Sequence, residues 1–203
     1  MTKFTTRQLV TLAVFAALWG VVEISLGSFL HSIKLPFSGP LIAGLGLMLA
    51  ITARSFVSNR GSTLFIGVIV MILKMFSIGS IVIGPMVAIL MEALIAELML
   101  SLFRTPSRVA YILAGGLGVL WNLAHPFVTG PILFGRDMIS VWLDTLDMGS
   151  RLFGIPNSAA FVILAILAGI YLIIGGSSGL IAWDVGRLLH IRLRGAESFT
   201  TGR

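Results

Sequence analysis

The chain contains no cysteine. Disulfides, thiolate metal sites and thiol nucleophiles are therefore excluded. Charge is scarce as well. Asp, Glu, Lys and Arg make up 11% of the 203 residues, against about a quarter in an ordinary soluble domain. Only three histidines occur, far apart and in no HxxxH or HExxH pattern, so no metal site is expected. A G-x-x-x-x-G-K-[ST] nucleotide loop is missing. Period-two alternation is missing too, which argues against a transmembrane barrel. There is no evident internal repeat, an argument against transporters built from inverted halves.

What is present is apolar sequence: 57% of the residues are hydrophobic, in blocks of membrane-spanning length. A hydrocarbon core about 30 Å thick takes about 20 apolar residues per helix. The chain reads as one all-α integral membrane domain over residues 1–203, a bundle of six transmembrane helices. The spans are expected near 8–29, 38–53, 62–78, 81–103, 109–124 and 156–183. The first lies directly behind MTKFTTRQLV with no small-residue cleavage site, so it reads as a retained helix, not a signal peptide.

The basic residues then sort by side. Lys3, Arg7, Arg54, Arg60, Arg104, Arg108, Arg187, Arg192, Arg194 and Arg203 fall on one side, Lys34, Arg136 and Arg151 on the other. By the positive-inside rule both termini are expected in the cytoplasm of a cell-membrane protein. The net charge of +6 is thus a topology signal, not a nucleic-acid footprint. The outer face is the elaborated one. A tight Gly79-Ser80 turn and a long loop from His125 to Ile155 are expected there. Within that loop SVWLDTLDMGSRLFG has the pattern of an amphipathic segment lying on the membrane surface.

Polar residues inside the spans need an explanation, because a charge facing lipid costs about 2.5–3.5 kcal/mol on insertion scales. Glu23, Lys74, Asn122 and His125 all map to the outer half, and Glu92 lies just below them. Trp19 precedes Glu23 by one helical turn, Trp121 stands beside Asn122, and His31 follows the first span. Lys74 is expected to pair with Glu92 across antiparallel neighbours, despite an axial offset of roughly 10 Å; Glu23 is the alternative partner. Simpler readings exist for several of these: Lys74 snorkelling outward, tryptophans in an interfacial belt, Asn122 and His125 capping span five, His31 as a loop residue. Glu97 is expected to pair with Arg104 or Arg108. Gly176-Ser-Ser-Gly179 matches the setting of an intramembrane serine nucleophile, but no histidine shares the depth of Ser178, and no enzyme activity is expected. Glycines in spans five and six read as packing positions.

Ala13 and Ala17 form an A-x-x-x-A stripe in the inner half of span one. With about 200 residues, six helices and both termini inside, the chain resembles the substrate-binding S component of energy-coupling factor transporters. The resemblance implies a vitamin, vitamin precursor or similar solute in an outward-facing cavity. It implies that Ala13 and Ala17 contact a transmembrane coupling subunit, and that separate ATPase subunits drive uptake with no cofactor in this chain. The candidate solute-binding residues are Trp19, Glu23, His31, Lys74, Glu92, Trp121, Asn122 and His125. The competing reading is a stand-alone channel, or a structural or assembly membrane protein whose polar residues brace helices.

Overall fold

The computed structural model describes residues 4–33, 35–76, 83–103 and 105–200, without the side chains of residues 31 and 193–200. The expected Gly79-Ser80 turn, Lys34 and Arg104 lie outside the described residues. Helix α1 (Thr6–Val21) opens on a reciprocal cap: the Thr5 hydroxyl accepts from Gln8 N, and the Gln8 side chain accepts from Thr5 N. A single π-helical turn, Val22–Leu26, joins it to α2 (Gly27–Ser32). Next come α3 (Ser38–Phe56), α4 (Ser62–Lys74), α5 (Ile83–Leu102), α6 (Arg108–Phe134), α7 (Met138–Phe153) and α8 (Ala160–Thr200). No strand occurs among the described residues.

Five segments are long and apolar enough to cross a membrane: Thr6–Leu30, Ser38–Phe56, Ile83–Leu102, Arg108–Phe134 and Asn157–Arg192. Helix α4 is apolar but has only 13 residues, about 20 Å at 1.5 Å per residue. The helices alternate in direction. At one end Phe4 meets Phe65, Tyr111 meets Trp183, and His190 stacks on Phe56. At the other end Glu23 meets Lys74 and Phe37 meets Tyr171. These contacts place both the N-terminal segment and the late part of α8 at the first end.

Span five was expected to stop near Ala124, with a loop from His125 to Ile155. The helix instead runs on to Phe134, through Pro126 and Pro131. Each proline withholds one N–H from the carbonyl four residues back, yet an apolar helix packed on neighbours tolerates that loss. Termination falls to Gly135, whose φ of 61° is the left-handed conformation glycine adopts without a Cβ penalty. The expected surface segment is α7, with Asp144, Asp147 and Arg151 on its outward face and Val141, Leu146 and Gly149 buried. It packs over Ile163 and Leu167 of α8, forming a small satellite core.

The α6–α8 seam is made by glycine, as expected. A Cβ on Gly115 would strike the Gly175 carbonyl, and one on Gly179 would strike the Tyr111 carbonyl. Such backbone-to-backbone approach is how helices associate in lipid, where no hydrophobic drive separates one apolar face from another.

Candidate functional site

Glu23 and Lys74 lie toward the end of the bundle opposite Phe4 and His190. Lys74, at the last turn of α4, donates to the Glu23 carboxylate and to the Glu23 carbonyl, both at 3.2 Å. Glu23 lies in the π-helical turn, where one extra residue per turn disturbs the regular backbone bonding. Both side chains are largely withdrawn from the surface, at 14% and 10% exposure. Lys74 therefore neither snorkels nor pairs with Glu92. The acid it meets comes from the π-helical turn that follows α1.

Glu92 of α5 has a different partner. It is 2% exposed, and its Oε1 accepts from Asn122 Nδ2 of α6 at 2.7 Å. Its Oε2 is buried with no partner among the described residues. Four expected site residues, from the π-helical turn, α4, α5 and α6, are thus brought together as two pairs.

Trp19 is fully buried, which removes it from any interfacial belt. Its indole lies so close to α3 that a Cβ on Gly46 would collide with Nε1. That nitrogen makes no hydrogen bond, and Trp121 Nε1 and His125 Nδ1 are buried and unpaired in the same way. Trp121, His125 and Thr129 follow one another at intervals of four along α6. His125 borders a recess of about 240 Å³ between the start of α5, α6 and α7, together with Pro85, Thr129, Arg136 and Val141. Of the expected solute-binding set, His125 alone lines that recess. The His31 side chain lies outside the described residues.

No family model matches the chain, and no curated protein or solved structure matches it. The site must therefore be read from its own chemistry. It offers paired charges and hydrogen-bonding atoms of both kinds without partners among the described residues. Helix α7, which packs on α6 and α8, is pinned by ion pairing of Arg136 with Asp144 and by Asn157 donating to Asp147 at 2.6 Å.

Several residues were missed or misassigned by sequence reasoning. Gly46 gave no signal, because its role is set by an indole from another helix. Glu97 was expected beside Arg104 or Arg108. Arg108 instead faces Asp184 at 3.7 Å, while Glu97 sits 3.4 Å from Arg54. Glu97 also accepts from Gly61 N at 2.7 Å and Thr63 N at 2.9 Å, so it caps α4 from a neighbouring helix. Ser178 donates to the Ile174 carbonyl one turn back, and His190 is bonded to the Ser55 carbonyl. Ala13 and Ala17 face outward, in an exposed strip with Val10, Val14, Leu18 and Val21.

Proposed function

We propose that the chain is the solute-binding subunit of an ATP-driven importer of the energy-coupling factor type, in the cell membrane with both termini cytoplasmic. One observation carries the reading. Glu92 Oε2, Trp19 Nε1, Trp121 Nε1 and His125 Nδ1 are buried polar atoms without a partner among the described residues. An unmet buried donor or acceptor costs about 1–3 kcal/mol, so four of them on expected site residues fit a site that a polar ligand completes. The solute class is a small molecule with a flat ring and both donors and acceptors. It would hydrogen-bond to Glu92, Asn122 and His125 and lie against the indoles, with Lys74 and Glu23 holding each other's charge.

The recess of about 240 Å³ touches this set only through His125 and is smaller than the roughly 300–1,000 Å³ of ordinary ligand pockets, so on this reading the helices around it part to admit the solute. The exposed Ala13–Ala17 strip offers a coupling subunit a close approach, and α4 is the sixth crossing. The ten-to-three distribution of basic residues supports the orientation. With no nucleotide loop in the chain, separate ATPase subunits supply the energy.

The test is chemical. Wild-type chain, purified in detergent and then denatured, should release one small molecule at about one per chain, identified by mass spectrometry. Glu92→Ala should release about tenfold less, equivalent to about 1.4 kcal/mol of binding. A wild-type chain that releases nothing, or a variant that releases as much, overturns the reading. The direct Lys74–Glu23 contact favours the competing view of a structural or channel protein with internal braces. Under that view no solute is retained, and Ala13→Leu with Ala17→Leu changes nothing. Under ours the double variant keeps the solute and loses the coupling subunit.

A further inference from the structure

At the end of the bundle that carries the termini, a recess of about 170 Å³ opens among α3, α5 and α6. Its wall holds two guanidinium groups, Arg54 and Arg60, with the hydroxyl residues Ser58, Ser101 and Tyr111, and no carboxylate among the described residues. Arg54 is 9% exposed. Its Nη2 reaches Glu97 at 3.4 Å and Ser101 at 3.5 Å, both long beside the roughly 2.7–2.9 Å of charge-assisted bonds. Its Nη1 is buried and has no partner among the described residues.

Glu97 does not satisfy this arginine because it is committed elsewhere. Oε1 accepts from Gly61 N at 2.7 Å and from Ser101 Oγ at 2.6 Å, and Oε2 accepts from Thr63 N at 2.9 Å. The carboxylate serves the end of α4 first and leaves the guanidinium short of acceptors. A buried fork with idle N–H groups, an exposed second arginine and an accessible cleft between them form an incomplete oxyanion site. The planar guanidinium matches phosphate oxygens two at a time.

We propose that this recess binds a phosphate-class oxyanion between Arg54 and Arg60, with the Ser58 and Tyr111 hydroxyls as further donors. The recess stands at the end where the basic residues crowd, so the group is either the head of an anionic phospholipid or a free phosphate. Basic pockets between membrane helices take lipid head groups in this way.

The purified full chain in detergent micelles tests the inference through its thermal unfolding midpoint. One arm adds inorganic phosphate against chloride at equal ionic strength. The other adds phosphatidylglycerol against phosphatidylcholine. Saturable stabilisation in the first arm assigns a free anion, and in the second alone a lipid head group. Arg60→Gln removes an exposed side chain without disturbing the fold and should weaken the apparent affinity about tenfold, which is about 1.4 kcal/mol. Arg54→Lys keeps the charge but loses the fork, and should weaken it similarly. Stabilisation in neither arm overturns the proposal. So does wild-type affinity in Arg60→Gln, which decides the matter alone if Arg54→Lys does not fold.

Discussion

Lys74 and Glu23 show what a charge needs in order to sit deep in an apolar bundle. Each is mostly withdrawn from the surface, and each meets the other at 3.2 Å. Removing one partner of such a pair leaves an uncompensated buried charge, at a cost of about 3–5 kcal/mol. Lys74→Met should therefore lower the unfolding midpoint of the detergent-solubilised chain sharply. Lys74→Met combined with Glu23→Gln should recover most of the loss. A double variant as unstable as the single one would show that the pair is not the relevant contact. At this scale the sequence shows which side chains are costly and at what depth. It does not show their partners: Glu92 and Glu23 were both open to Lys74, and only the height of the turn carrying Glu23 decided between them.

Helix α4 depends on another helix for its start. Gly61, with φ of 90°, provides no capping side chain, and Glu97 of α5 takes the free N–H groups of Gly61 and Thr63. Glu97→Ala should cost about 1–3 kcal/mol, because it leaves the N–H groups at the start of α4 unmet; a shift of the unfolding midpoint no larger than that of a surface control would refute the role. The α6–α8 seam allows a cleaner comparison. Gly179→Ala drives a methyl into the Tyr111 carbonyl, whereas Gly169 has open space around its Cβ position. The first substitution should destabilise by about 1–3 kcal/mol, and Gly169→Ala should leave the midpoint at or above that of the wild type. Apolar length made most of these elements legible beforehand. The end of α6 was not, since Pro126 and Pro131 look like terminators in sequence and are carried through by packing.

For the molecule as a whole, the lack of native cysteine makes orientation directly measurable. Arg151, exposed on α7, and Arg60, exposed before α4, mark opposite ends of the bundle. A membrane-impermeant maleimide applied to intact cells should label Arg151→Cys and leave Arg60→Cys unlabelled until the membrane is opened. The reverse pattern would invert the proposed topology, and labelling of both would deny a membrane barrier between them.

The sequence by itself determined that this is a helical, membrane-embedded chain with an amphipathic segment near one surface. Hydrophobic run length and charge scarcity follow from the solvent a segment tolerates, and each is a property of consecutive residues. Helix rotation and height are not local in that sense. They arise from which glycines let which backbones touch, as Gly115 and Gly175 do, or from which pocket admits an indole, as Gly46 does for Trp19. Tertiary structure alone therefore decided that Lys74 answers Glu23, that Asn122 answers Glu92, and that Arg54 is left with donors to spare.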